Sequence, residues 1–222
     1  RHGEVVIYGT VDSIRDRTHR STFARYEYPS RLPRRVRRRM SDAADALMRE
    51  IGLDDAPFNV EFYYNGANDR LRLLEINARI SKSHCPLFAL VDGASHHQVM
   101  VQLATGERPE LPRRKGRFRA AAKFMLRRYR DAIVSRAPTP DELAEIEARM
   151  PGTDIHIGVS EGDRLSELLY QDSYSYEVAE IFMGGASHAA LLRRYRELLD
   201  RLPLRFAEPD RKDGARGEEL SA

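Results

Sequence analysis

The sequence predicts an α+β chain, with a mainly antiparallel sheet and flanking helices followed by a small C-terminal α/β domain. Three observations predict it. Two strand-like runs flank Asn65-Gly66, too close together for a crossover, so they must pair antiparallel. A helical repeat runs from Pro33 to Ile51. The composition then shifts at Pro109-Glu110-Leu111-Pro112-Arg113-Arg114-Lys115-Gly116, beyond which new strand and helix patterns begin. The boundary is therefore placed after residue 112, giving parts 1–112 and 113–207 and a polar tail at 208–222, for which disorder is expected.

Taken in order, residues 4 to 12 read as the first strand through Val5, Ile7, Tyr8 and Val11. A polar, basic loop follows from Ser13 to Arg20, then Phe23, Tyr26 and Tyr28 before turn signals at Pro29 and Pro33. Val36, Met40, Ala43, Ala44, Leu47 and Ile51 recur at three- and four-residue spacing, with Pro33 at the start and Gly52 as the stop. In the hairpin, Phe58, Val60 and Phe62 alternate with Asn59, Glu61 and Tyr63, and Leu71, Leu73, Leu74 and Ile76 form the return strand. Helices are expected at 86 to 92 and from Ser95 to Thr105. The second part offers strands at 117 to 126 and 131 to 136, a helix at 139 to 150, strands near 153 to 159 and 174 to 183, and a helix from Ser187 to about Leu202 whose start Ser187 caps.

Of the 222 residues, 41% are hydrophobic and 32% charged, a balance typical of globular proteins. No apolar run reaches the roughly 18 residues of a membrane span, and the start is not a signal peptide, so no membrane association and a cytoplasmic location are expected. Cys85 is the only cysteine, which rules out a disulfide within the chain and a zinc cluster built on several thiolates. The formal charge of +3 is too small to argue for nucleic acid. The arginines at 34, 35, 37, 38 and 39 lie in a helical pattern followed by Asp42, Asp45 and Glu50, and read as a solvated helix face. With no initiator methionine and a strand pattern almost at residue 1, the chain reads as a fragment or processed product; a homo-oligomer is allowed.

The chemistry points to the hairpin. Glu61 and Glu75 lie on opposite arms, and a register that pairs them brings two carboxylates onto one face, which is costly unless a cation or proton lies between them. Glu75 and Asn77 are two apart and share a face, on which simple alternation also puts Leu73. Mg2+ takes hard oxygen donors of this kind and keeps positions for water and phosphate.

The stretches Phe58-Asn59-Val60-Glu61-Phe62 and Leu73-Leu74-Glu75-Ile76-Asn77-Ala78-Arg79-Ile80-Ser81 resemble the ATP-grasp superfamily, on the branch typified by carbamoyl phosphate synthetase, biotin carboxylase and amino-acid ligases. The resemblance continues through Val91-Asp92-Gly93, Ser95-His96 and Leu103-Ala104-Thr105-Gly106 and covers about half the chain. It implies ATP and Mg2+ as cofactors, with Mn2+ as an alternative metal. Glu61, Glu75 and Asn77 are then the metal ligands, and Arg79 faces the transferring phosphoryl group. Arg17, His19 and Arg20 in the first loop are candidate nucleotide contacts, although no acidic partner can be assigned to His19. Ser81, Lys82 and Ser83 are expected to wall the substrate.

The family's adenine-clamping subdomain and its phosphate-binding lysine cannot be located in the sequence, so they are expected in the same or another chain. Residues 113 to 207 resemble the small C-terminal domain of biotin-carboxylase-like ligases. The implied reaction is activation of a small carboxylate as an acyl phosphate for attack by an amine or similar nucleophile. A bicarbonate-activating carboxylase and a noncatalytic, regulatory remnant are the alternatives. Ser81, His84 and Cys85 do not form a nucleophilic triad. No metal is assigned to His96 and His97, and the Gly184-Gly185 turn before Ser187 and His188 is read as helix capping.

Overall fold

The computed structural model describes residues 2–169, 171 and 175–209. Its first ladder pairs strand β1 (Asp12–Arg15) with β2 (Phe23–Tyr28). Helix α1 (Arg34–Ile51) follows, with Pro33 at its N-cap. At its end Gly52 takes a left-handed φ of 67° and donates to the carbonyls of Arg49 and Met48. Val36, Ala44 and Met48 form its buried stripe.

Strands β3 (Asn59–Asn65) and β4 (Arg70–Asn77) make a separate two-stranded sheet. Helices α2 (Cys85–Asp92) and α3 (His96–Ala104) come next, the second capped by Ser95. The second half contains β5 (Ala120–Arg128), β6 (Ile133–Arg136), α4 (Pro140–Arg149), β7 (Thr153–Ile157), β8 (Tyr176–Gly185), α5 (His188–Arg201) and β9 (Arg205–Ala207). Thr139 and Glu142 close a capping box on α4, and Ser187 caps α5 through the Ala190 amide, as expected.

The main sheet has the order β1-β2-β5-β8-β7, with every neighbour antiparallel. Because β2 pairs with β5, residues on both sides of position 112 share this sheet. Its two faces differ sharply. On one, Ala122, Phe124, Ile155, Ile181 and Met183 pack against Ile146 of α4 and Leu191 and Leu198 of α5. On the other, Tyr28, Ala121 and Phe182 lie under Leu87, Phe88 and Val91 of α2. The register continues this second face with Tyr26 opposite Lys123 and Met125 opposite Glu180.

The strand expected at residues 4 to 12 is corrected: ladder pairing begins only at Asp12, opposite Glu27. Upstream, backbone groups are taken up singly. Arg113 donates to the carbonyls of Tyr8 (2.6 Å) and Ile7 (3.0 Å), and Ser30 N–H donates to Thr10 O (2.9 Å). The expected polar tail lies, from residue 210 onward, outside the described residues. Among the described residues no helix is long and apolar enough to cross a membrane.

Candidate active site

The β3–β4 hairpin sets Glu61 directly opposite Glu75 and Asn59 opposite Asn77. Opposed residues of an antiparallel pair point to the same face, so four oxygen-bearing side chains share it. Sequence reasoning missed Asn59, although its place two residues before Glu61 was a usable signal. A bulge after Glu61 pairs Phe62 with Leu73, which puts Leu73 on the opposite face from Glu75 and corrects the strict alternation assumed for β4. Both glutamates are exposed and Asn77 is half-buried, and Asn77 Nδ2 is buried with no hydrogen-bond partner. Amide N and O exchange on a ring-flip-like rotation, so this orphaned position is equally one for an acceptor oxygen. Two carboxylates and two amides are a hard oxygen set, and they fit a divalent cation of the Mg2+ kind. Among the described residues there is no cluster of three or more His, Cys, Asp or Glu side chains suited to a metal, so phosphate or water oxygens would have to complete the set.

The hairpin borders a cavity of about 1140 Å3, shared with Tyr26, Ser81 and His84 and with the segment before β1. Tyr26 links the hairpin to the main sheet. Burial raises its phenol pKa, and the charges of Glu61 and Glu177 add to that rise. Of the predicted substrate wall, Ser83 accepts from Lys123 Nζ at 3.1 Å, Ser81 O accepts from the His84 and Cys85 amides, and Lys82 is exposed. Arg79 is exposed and donates to Ile80 O at 3.2 Å. Cys85 is fully buried, its thiol donates to Ser81 O, and burial raises its pKa, so it is not a nucleophile.

The first loop goes elsewhere. His19 stacks on Tyr129 with ring centroids 3.4 Å apart, and Thr22 Oγ1 lies 3.1 Å from the Tyr129 hydroxyl, so the loop is held at the far end of β5. His19 does have an acidic neighbour, Asp16 at 3.5 Å, contrary to expectation. Asp16 also accepts from the amides of Thr18 and His19 at 2.8 Å, a turn the sequence did not reveal. Among the described residues Arg17, His19 and Arg20 make no hydrogen bond or ion pair with the hairpin.

His96 stacks on Phe88 at 4.2 Å, and His188 lies 3.0 Å from Pro29 O, so both act within the packing. Asp92, of the Asp92-Gly93 pair, is buried and accepts from the Tyr28 hydroxyl and the Arg114 amide. A charged row on the main sheet was not foreseen at all. Lys123, only 6% exposed, is ion-paired with Glu180, and Arg127 with Glu177.

Residues 1–111 match the family model described as carbamoyl-phosphate synthase L chain, ATP binding domain. The carbamoyl phosphate synthase large chain of Gemmatimonas aurantiaca is 37% identical over 67 residues, which are 30% of this chain and 6% of that protein. Phosphoribosylglycinamide synthetase from Anaerococcus prevotii superposes with a TM-score of 0.69 at 11% identity, over 93% of this chain and 51% of that one. The biotin carboxylase domain of Hydrogenobacter thermophilus 2-oxoglutarate carboxylase, solved with MgADP, ADP and bicarbonate, gives 0.64 at 18% over 92% and 44%. An L-amino acid ligase from Bacillus licheniformis gives 0.63 at 17% over 85% and 45%. The chain thus spans about half the length of these solved structures, and its aligned segment is a small fraction of the synthase.

Proposed function

Because this chain belongs to the family of carbamoyl-phosphate synthase L chain ATP-binding domains, within the ATP-grasp superfamily, we propose that it forms the metal-binding part of an ATP- and Mg2+-dependent ligase. That ligase activates a small carboxylate as its acyl phosphate, which an amine or similar nucleophile then attacks. The observation that carries this reading is the direct opposition of Glu61 and Glu75, with Asn59 and Asn77 beside them on one face. Such a face repels itself unless a cation joins it.

Glu61, Glu75 and Asn77 would hold Mg2+, and Mn2+ would suit the same oxygens. When bound, the ion would supply neutralisation of the nucleotide's phosphate charge. The rest falls to the chain. We assign Arg79 to the charge on the transferring phosphoryl group, and Ser81, Lys82 and Ser83 to the substrate wall. Arg17, His19 and Arg20 stand away from the hairpin, so as nucleotide contacts they require an approach from the β1–β2 end of the sheet. Residues 113–207 contribute Lys123, which reaches the substrate wall through Ser83.

The test is phosphate release by the full-length protein against a panel of amino acids and small carboxylates, alongside Glu75→Gln. The substitution removes one ligand charge at constant shape. Turnover is expected to fall by roughly 100-fold or more, as when a group that stabilises transition-state charge is lost, with an unchanged melting temperature. Undiminished turnover would overturn the assignment.

A further inference from the structure

Lys123 is a cation in the middle of a sheet. It sits on β5, the central strand, and is only 6% exposed. An ionised group taken out of water is tolerated only where partners replace its hydration, and an apolar residue of similar volume often serves stability as well. Glu180 supplies the countercharge, and the ring centroid of Phe182 lies 5.7 Å from Nζ. Among the described residues its other hydrogen bond leaves the sheet: Nζ donates to Ser83 Oγ at 3.1 Å.

Ser83 belongs to the turn at residues 78–84, which joins β4 to α2 and carries Arg79. Two neighbouring strands grip this turn at adjacent positions. Tyr26 of β2 stands directly opposite Lys123 in the ladder, and its ring meets that of His84 edge-on, with centroids 5.3 Å apart. The backbone of the turn closes on itself, because Ser81 O accepts the amides of His84 and Cys85 at 2.9 and 3.2 Å. The Ser83 hydroxyl is thus held from the sheet and not from its own turn. Its neighbours Ser81 and His84 line the cavity that the hairpin borders, and Ser83 itself is half-buried.

An ammonium has three donors and no acceptor, so in this contact the serine oxygen can only accept. Its own hydrogen must then be directed elsewhere. Among the described residues no acceptor takes it, and the bond from Lys123 is the one hydrogen bond of the Ser83 side chain. A hydroxyl that accepts a charge-assisted bond is polarised by it and becomes a better donor. We infer that Lys123 is a positioning residue, which holds Ser83 as an O–H donor for an anionic oxygen of the activated substrate, on its carboxylate or acyl phosphate. The positive charge behind the hydroxyl favours such an oxygen over a neutral or cationic group. Through this contact a strand beyond residue 112 sets the chemistry of a wall that belongs to the first half of the chain. The substrate class rests on the proposed ligase reading; the donor geometry does not.

Calorimetric titration of the full-length protein with acetylphosphonate, a stable analogue of an acyl phosphate, in the presence of Mg2+ tests it. The unsubstituted protein is expected to bind. Ser83→Ala should weaken binding about tenfold, the usual loss on deleting a hydrogen bond to a charged group, with an unchanged melting temperature. Ser83→Thr, which keeps the hydroxyl, should bind as the unsubstituted protein does. Lys123→Met should weaken binding to a similar degree as Ser83→Ala, and the two combined no further than Ser83→Ala alone, because Lys123 acts through the serine. Where Lys123→Met does not fold, Lys123→Met with Glu180→Gln leaves no unpaired charge and takes its place in the same cycle. A combined loss equal to the product of the single losses would show that Lys123 acts by its own charge and would overturn the positioning role. An unchanged affinity in Ser83→Ala, or no binding by the unsubstituted protein, overturns it without any lysine variant. If acetylphosphonate binds with this dependence on both residues but no carboxylate supports ATP-dependent phosphate release, the ligase reading fails and the donor stands. If phosphate release depends on Glu75 while Ser83→Ala leaves both the affinity and the KM for the carboxylate unchanged, the donor fails and the ligase reading stands.

Discussion

The two faces of the five-stranded sheet are built from alternate residues of the same strands, yet they do different work. On one, Phe124 stacks parallel to Tyr195 at 4.0 Å, and Ile181, Met183 and Leu198 are fully enclosed. On the other, Lys123, Glu180, Arg127 and Glu177 spend ion pairs on a half-buried surface next to open cavities. A β-strand can serve both ends because its side-chain period is two. One face supplies the stability that lets the other carry charge.

If this division is real, damage to the apolar face should cost stability and nothing else. Phe124→Ala removes a side chain that is 2% exposed, and is expected to destabilise by about 3–5 kcal/mol, the usual cost of deleting a buried ring. Denaturant unfolding measures it. Below the unfolding transition, phosphate release by the variant should keep an unchanged dependence on Mg2+. A shifted Mg2+ dependence under those conditions would show that the faces are coupled and break the comparison.

Acid should act on the other side of the sheet. Burial holds His84 down at about 4, with His96 and Lys123 adding to the effect, and burial holds His96 at about 4 although Asp92 pulls it upward. Both are therefore neutral in the fold, while the unfolded chain takes up protons near pH 6.5. Folded pKa values below the unfolded ones mean that this stability is fully present above pH 6.5 and is lost as pH falls from 6.5 towards 4. The loss is at most on the order of 3 kcal/mol per histidine. Urea melts at pH 7.5 and pH 5 should show it, and His96→Phe, which keeps the stack on Phe88, should remove about half of the difference. An unchanged difference in that variant would place the acid sensitivity elsewhere.

The same contrast explains what could be read from the sequence. Helix α1 was legible because its apolar spacing, Pro33 and Gly52 are local signals, and the hairpin because a short turn fixes its partner. The Glu61–Glu75 opposition followed from both arms being close in sequence. Lys123 was not legible as a site residue, because its partners Glu180 and Ser83 lie 57 and 40 residues away. It nevertheless left a trace: one lysine within Ala-Ala-Ala-Lys-Phe-Met-Leu, where a buried cation requires an acid. Glu177 and Glu180, an odd number of residues apart, should by simple alternation point to opposite faces. The irregularity that pairs Leu126 with Ala179 and Arg127 with Glu177 brings them together, and a bulge of this kind has no sequence mark. Segment 4–11 failed for the complementary reason: its residues have strand propensity, but propensity does not provide a partner.

The smallest effect expected concerns how the hairpin is aimed. Its turn is tied to α1 through Asp69, which accepts from Arg35 at 2.9 Å and from the Tyr64 hydroxyl at 2.8 Å and lies 3.2 Å from Arg39. Two of the arginines that could have suggested a nucleic-acid surface are thus engaged in holding the turn. These ion pairs are exposed, and exposed pairs contribute little to folding, so Asp69→Asn should leave the melting temperature unchanged. Its consequence should appear in the metal requirement. With the hairpin less firmly aimed, the Mg2+ concentration for half-maximal phosphate release is expected to rise about two- to fivefold, in keeping with the loss of a weak surface contact. Glu75→Gln is expected instead to lower turnover by roughly 100-fold or more at every Mg2+ concentration, which separates a misdirected ligand set from a missing one. A Mg2+ dependence identical to that of the unsubstituted protein would mean that the strands alone orient Glu61 and Glu75, and that the arginines of α1 contribute only to solvation.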